Sequence, residues 1–210
     1  MSLDAVQKHE IARVLELPSR ARVLHRELRN ALVFASNAKK LWTPPDKIHQ
    51  LVQLLPELPQ QIAQELQERE LRDGAFCIVG GEKNQGRDPN IAHLARSDGA
   101  WFDFSITVRE RGKWLDLLAY DFEIRFPPGM GMPFLRFDLN LPAHRNEERD
   151  MRSHSHLGCE DILSPAPLMT PQEILALFID ELRWPEDRKR RDPTDFEVRW
   201  FEQTHLLARR

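Results

Sequence analysis

Between Arg136 and Gly158 the chain reads RFDLNLPAHRNEERDMRSHSHLG, a stretch dense in groups that move protons, hold metals or grip phosphate. His144, His154 and His156 are three of only eight histidines in the chain, and all lie within this run. Arg136 and Asp138 stand two apart between Leu135, Phe137 and Leu139. On a strand, that alternation sends both polar groups to one face and the apolar three to the other. His154 and His156 share a face by the same rule if their segment is extended. Three readings are open. In one, Asp138, His154 and His156, with His144 as a further candidate, coordinate a divalent metal, because imidazole and carboxylate suit zinc, iron or manganese. In another, the histidines work metal-free as acid and base near neutral pH, while Arg136, Arg145 or Arg152 clamps a phosphate. The third is structural: Arg136 and Asp138 pair with loop residues, and the imidazoles satisfy backbone groups.

Weaker signals surround this stretch. Asp116, Asp121 and Glu123 fall on a neighbouring strand and can add a carboxylate, although such residues more often form a solvated face. His93 is an outlying imidazole. Cys159 adjoins Gly158 near the histidines, where an inert thiol is the commoner outcome than a nucleophile. Gly80, Gly81 and Gly86 lack a phosphate-loop arrangement and read as a turn, and neither G-x-S-x-G nor HExxH occurs.

The elements that must position these groups are legible in outline. Residues 1–72 read as helical, with Leu3, Val6, Ile11, Val14 and Leu15, then Val23, Leu24, Leu28, Leu32 and Val33, at helical spacing. Pro18, Pro44–Pro45, Pro56 and Pro59 cut this region into about four segments, since proline cannot sit inside a hydrogen-bonded helix. Residues 73–210 read as an α+β core. Phe76–Val79 predicts a strand, 82–99 a long loop, Trp101–Arg109 a half-buried strand, and Trp114–Phe126 its partner across a turn at Arg111–Gly112. Phe134–Leu139 predicts a third strand of the meander. Thr170, Pro171 and Glu173 open a capped helix that runs to about Arg183. Trp184–Pro185 would end it, followed by a basic run at Arg188–Arg191 and an amphipathic helix over Phe196–Leu207. The predicted fold is therefore α+β, an antiparallel β-meander covered by helices, with a helical N-terminal region.

Composition narrows the function classes. With 30 Lys+Arg against 33 Asp+Glu, the formal net charge is -3, so no global field favours nucleic acid or an anionic membrane. Any nucleic-acid surface must be a local patch. No apolar run approaches the roughly 20 residues of a membrane helix. Cys77 and Cys159, far apart and outside any finger spacing, are expected as free thiols in a reducing cytoplasm.

The run FLRFDLN…SHSHLG…APLMTPQEILALFI resembles a group of prokaryotic proteins with R-x-D on a strand, a His-bearing loop, an S-H-x-H-x-G element and a P-x-[ST]-P helix opening. It is similar, more distantly, to TumE-like toxins of toxin–antitoxin pairs. The likeness covers about residues 101–183. It implies functional positions at Arg136, Asp138, His144, His154 and His156, and a defence or toxin–antitoxin setting with RNA or nucleotides as targets. The expected function is a phosphodiester- or nucleotide-acting, ribonuclease-like enzyme with an optional divalent metal. The alternative is a non-catalytic subunit of a defence or nucleoprotein complex that docks a protein partner through its N-terminal helices.

Overall fold

The structure, a computed structural model, describes residues 17–149 and 151–182. The expected helices over 3–15 and 196–207 and the basic run at Arg188–Arg191 lie outside these residues.

The chain order is α1 (Ala21–Asn37), α2 (Pro45–Leu51), β1 (Val52–Leu54), α3 (Gln60–Glu68), β2 (Ala75–Gly80), β3 (Leu94–Ala95), β4 (Trp101–Arg111), β5 (Trp114–Arg125), β6 (Phe134–Leu139), β7 (Ser153–Leu157), β8 (Leu163–Pro165) and α4 (Pro171–Ala176). A π-helical turn, Leu177–Glu181, continues α4. The strands form one eight-stranded sheet in the order β1-β2-β4-β5-β6-β7-β8, with β3 beside one end of β4. Every pairing is antiparallel.

Alternation gives the sheet two different faces. Phe102, Phe104 and Ile106 of β4, Phe122 and Ile124 of β5, and Leu135 and Leu139 of β6 fill one face. That face is covered by α1, whose Leu24, Leu28 and Leu32 recur every four residues, and by Ile174, Leu175 and Phe178 of α4 and its extension. Phe178 touches Phe102, Phe122 and Phe137, so the covering layer interlocks with three strands. Residues of the opposite parity, among them Asp103, Asp121, Glu123, Arg125, Arg136 and Asp138, line up on the second face. There α3 buries Leu66 beside Leu118 and Leu141 and packs against Ala75 and Ala119 at one end. The register of β4 and β5 shifts at Thr107/Val108, opposite Leu118, a bulge that adds local twist to the sheet.

Three sequence expectations change. The sheet has eight strands rather than the four predicted, and two of the additional ones, β7 and β8, lie in stretches whose polar residues hide the strand pattern. Val52–Leu54, expected within the helical region, is a short edge strand paired to Ile78–Gly80. The expected loop over 82–99 contains β3, which pairs with Trp101–Phe102. The α4 prediction is sound at its start: Thr170 Oγ1 accepts from the Glu173 N–H, and the Glu173 carboxylate accepts from the Thr170 N–H at 2.7 Å. No described helix is long and apolar enough to cross a membrane.

Candidate metal centre and its cavity

The site is built by register. β6 places Arg136 opposite His156 of β7 and Asp138 opposite His154, while β5 places Glu123 opposite Arg136 and Asp121 opposite Asp138. Directly opposed side chains in an antiparallel pair have Cβ atoms about 4.5–5.5 Å apart, so six polar groups crowd one patch of the polar face.

Asp138 is its centre. Its Oδ2 lies 3.4 Å from His154 Nε2, 3.2 Å from His156 Nε2, and accepts a hydrogen bond from Arg136 Nε at 2.9 Å. The two imidazole rings sit 5.2 Å apart, tilted by 60°. Both histidines are buried, at 3% and 5% exposure, so the carboxylate is the part of the triad that reaches the open cavity. Burial alone would raise the Asp138 carboxyl. The two imidazoles and the Arg136 guanidinium outweigh it and hold the group well below the usual carboxylate range.

The tautomer of His154 shows what the arrangement suits. Its Nδ1 faces the Met151 carbonyl at 3.1 Å, so that nitrogen carries the proton and donates. In the neutral ring, Nε2 then offers a lone pair to a carboxylate oxygen, which is repulsive unless a proton or a cation lies between them. The 3.4 Å separation of His154 Nε2 from Asp138 Oδ2 suits a cation better than a direct hydrogen bond. Bonds of about 2.0–2.1 Å meeting at a tetrahedral angle set ligand atoms about 3.3–3.4 Å apart, whereas hydrogen bonds mostly fall at about 2.7–3.2 Å. One ligand atom from each of Asp138, His154 and His156 fits within a mutual separation of 4.8 Å. Backbone carbonyls commonly orient metal-bound imidazoles, a position the Met151 carbonyl takes toward His154. His156 Nδ1 is buried without a hydrogen-bond partner, with Glu160 Oε2 3.7 Å away as the carboxylate nearest to that role.

Arg136 is not a free phosphate clamp. Its guanidinium contacts Asp138, Glu123 at 3.3 Å and Glu160 at 2.8 Å, and these charges secure its proton further. It acts as a strut that orients Asp138. Arg87 extends the strut: it grips Glu123 at 2.8 Å, bonds Glu160, and lies 3.6 Å over the Phe134 ring. Its backbone is left-handed, with φ of 52°, a conformation that non-glycine residues rarely hold unless their surroundings fix it. Arg125 completes the lattice through Asp103 at 2.5 Å and the Asn84 carbonyl at 2.7 Å.

Beside this lattice lies a cavity of about 440 Å³, lined by Lys83, Asn84 and Gln85 of the β2–β3 loop and by polar residues of β4, β5 and β6. Among the described residues, Lys83 and Asp121 are its charged groups with no hydrogen bond or ion pair. Burial, and then the charge of Asp138, push the Asp121 carboxyl up to about 7. Five carboxylates, Asp103, Asp121, Glu123, Asp138 and Glu160, face the cations Lys83, Arg87, Arg125 and Arg136.

The remaining candidates fall elsewhere. His144 accepts a weak bond from the Asn146 N–H in the turn after β6 and belongs neither to the triad nor to the cavity lining. Arg152 is committed to the Asn140 and Leu118 carbonyls, and Arg145 is exposed on a short 3₁₀ turn. Asp116 pairs with Arg111 at the far end of β5. His93 lies tilted against Trp101, with ring centroids 4.3 Å apart. Cys77 and Cys159 are both free thiols. Sequence reading missed Asp103, Arg125, Arg87, Lys83 and Glu160 as parts of the site. The first two carried a signal, since they share the outward parity of β4 and β5.

No protein-family model, curated protein or solved structure matches this chain, so what the site can do follows from its geometry. That geometry defines a class: an antiparallel sheet with a two-histidine, one-carboxylate cluster at the wall of a polar cavity.

Proposed function

We propose that this chain is a metal-dependent hydrolase of phosphodiesters or nucleotides, ribonuclease-like in its chemistry, with Asp138, His154 and His156 holding one divalent cation. The observation that carries this reading is the convergence of Asp138 Oδ2, His154 Nε2 and His156 Nε2 at coordination-sphere spacing, with the outer nitrogen of His154 fixed by a carbonyl. Buried imidazoles are poorly placed to trade protons with a substrate directly, which favours the metal reading over metal-free acid/base chemistry. Two histidines and one carboxylate suit zinc, iron or manganese and leave positions for water and substrate. A cation in that position supplies charge for a phosphoryl oxygen and acidifies a bound water. Lys83 faces the cavity as the cation for a substrate phosphate, and the unpaired Asp121 is placed to orient a water or hydroxyl. The likeness of residues 101–183 to TumE-like toxins makes RNA the first substrate to assay and a prokaryotic defence or toxin–antitoxin system the proposed setting.

The test is cleavage of RNA and of nucleotides with and without EDTA, comparing the wild type with His154→Ala and His156→Ala. The expected result is activity that EDTA removes, that added metal restores, and that both variants lack. Activity retained by both variants would contradict the proposal.

A further inference from the structure

A second polar hollow lies away from the metal centre, between α1, α2 and the edge strand β1. It has a volume of about 520 Å³, and its lining includes Arg22, His25, Arg26, Arg29 and His49 with no carboxylate among them. The three arginines stand at i, i+4 and i+7, so they form one stripe along α1 about 10 Å long at 1.5 Å per residue. Several arginines elsewhere in the fold are ion-paired: Arg20 to Glu110, Arg96 to Asp98, Arg111 to Asp116 and Arg125 to Asp103. Among the described residues, Arg22, Arg26 and Arg29 make no ion pair or hydrogen bond, and Arg29 Nε is buried with no partner. The acid of the same helix, Glu27, points to Gln172 at 3.1 Å. His25 is fixed against the Val52 carbonyl at 3.0 Å, which holds the floor of the hollow rigid. A chain of slight net negative charge thus carries a local patch of guanidinium that no carboxylate among the described residues pairs.

We propose that this groove binds the phosphate backbone of single-stranded nucleic acid. Guanidinium forks match phosphate oxygens bidentately, and a stripe this long spans more than one phosphate, which fits a polymer better than a mononucleotide. The inference rests on the phosphodiester reading above and narrows its substrate from nucleotides to chains.

The experiment measures fluorescence anisotropy of a labelled oligoribonucleotide, and of its deoxy counterpart, with the full chain in EDTA across a salt series. Metal and turnover then play no part. Both probes are expected to bind, and Arg22→Ala/Arg26→Ala, at two exposed positions, should weaken binding at least about tenfold at low salt. It should also flatten the slope of log K against log salt by about 1.4, because single strands lose about 0.7 per phosphate contact. Arg22→Lys/Arg26→Lys should retain most of the slope. Equal binding by the alanine variant and wild type would overturn the inference, as would no binding by wild type, or displacement of the strand by polyglutamate at equal charge. Binding that survives EDTA while His154→Ala hydrolyses RNA normally would sink the metal reading and leave the groove standing.

Discussion

The chemistry depends on one oxygen. Asp138 Oδ2 meets Arg136 and both imidazoles, and these three groups keep it ionised against its burial. Asp138→Asn preserves size and leaves Arg136 paired to Glu123 and Glu160, so the fold should persist. Metal affinity should fall by more than the roughly 10–100-fold typical of losing a second-sphere partner, as read by calorimetric titration. An unchanged affinity would place the cation elsewhere. A second residue-scale expectation concerns the two thiols. Burial raises the Cys77 thiol, beside Ser105 at 3.8 Å, so its thiolate fraction at mildly alkaline pH is smaller than that of an ordinary cysteine. Labelling by a disulfide reagent should therefore modify the half-buried Cys159 first and reach Cys77 only as the protein unfolds; simultaneous labelling would show that β2 opens readily. At this scale the sequence was informative, because Arg136, Asp138, His154 and His156 declare their faces through two-residue spacing. It could not place His144, which lies outside the triad and the cavity lining, since composition alone cannot separate a turn histidine from a site histidine.

The elements are held by local rules that can be broken singly. Gly80 ends β2 where the Phe104 ring crosses it, and a Cβ there would lie 2.1 Å from Cε1 of that ring. Gly80→Ala should cost about 1–3 kcal/mol in urea denaturation, as overpacking does. Thr170→Ala removes the side-chain cap of α4, the oxygen that accepts from the Glu173 N–H, and should cost about 1 kcal/mol by the same measurement. Losses near zero would mean that these contacts form only loosely. Strands β4, β5 and β6 were readable because their alternation is regular. β7 was not: in Ser153–Leu157 the polar histidines occupy buried positions, and only its pairing with β6 makes that segment a strand. The bulge opposite Leu118 was equally invisible, because a register shift is a property of two strands together.

Among the described residues, α1, the sheet and α4 contribute to one continuous core cluster, with a small satellite under α3. The division at residue 72 therefore separates sequence styles rather than folding units: β1 extends the sheet and α1 covers it. A chain lacking residues 1–72 would expose Ile78, Phe102 and Ile106, and should bind hydrophobic dyes and melt without a cooperative transition. A cooperative, monomeric core from that deletion would contradict this picture. Phe178→Ala, which empties the junction of three strands, should cost about 3–5 kcal/mol, a large part of the roughly 5–15 kcal/mol typical of domains. The cation is what this scaffold is proposed to serve, and titration of EDTA-stripped protein with Zn²⁺, Mn²⁺ or Co²⁺ tests it most directly. One ion bound per chain, lost in His154→Ala and His156→Ala while both variants keep the wild-type melting profile without metal, is the predicted result. Stoichiometric binding that the two variants retain, or none by the wild type, would contradict it.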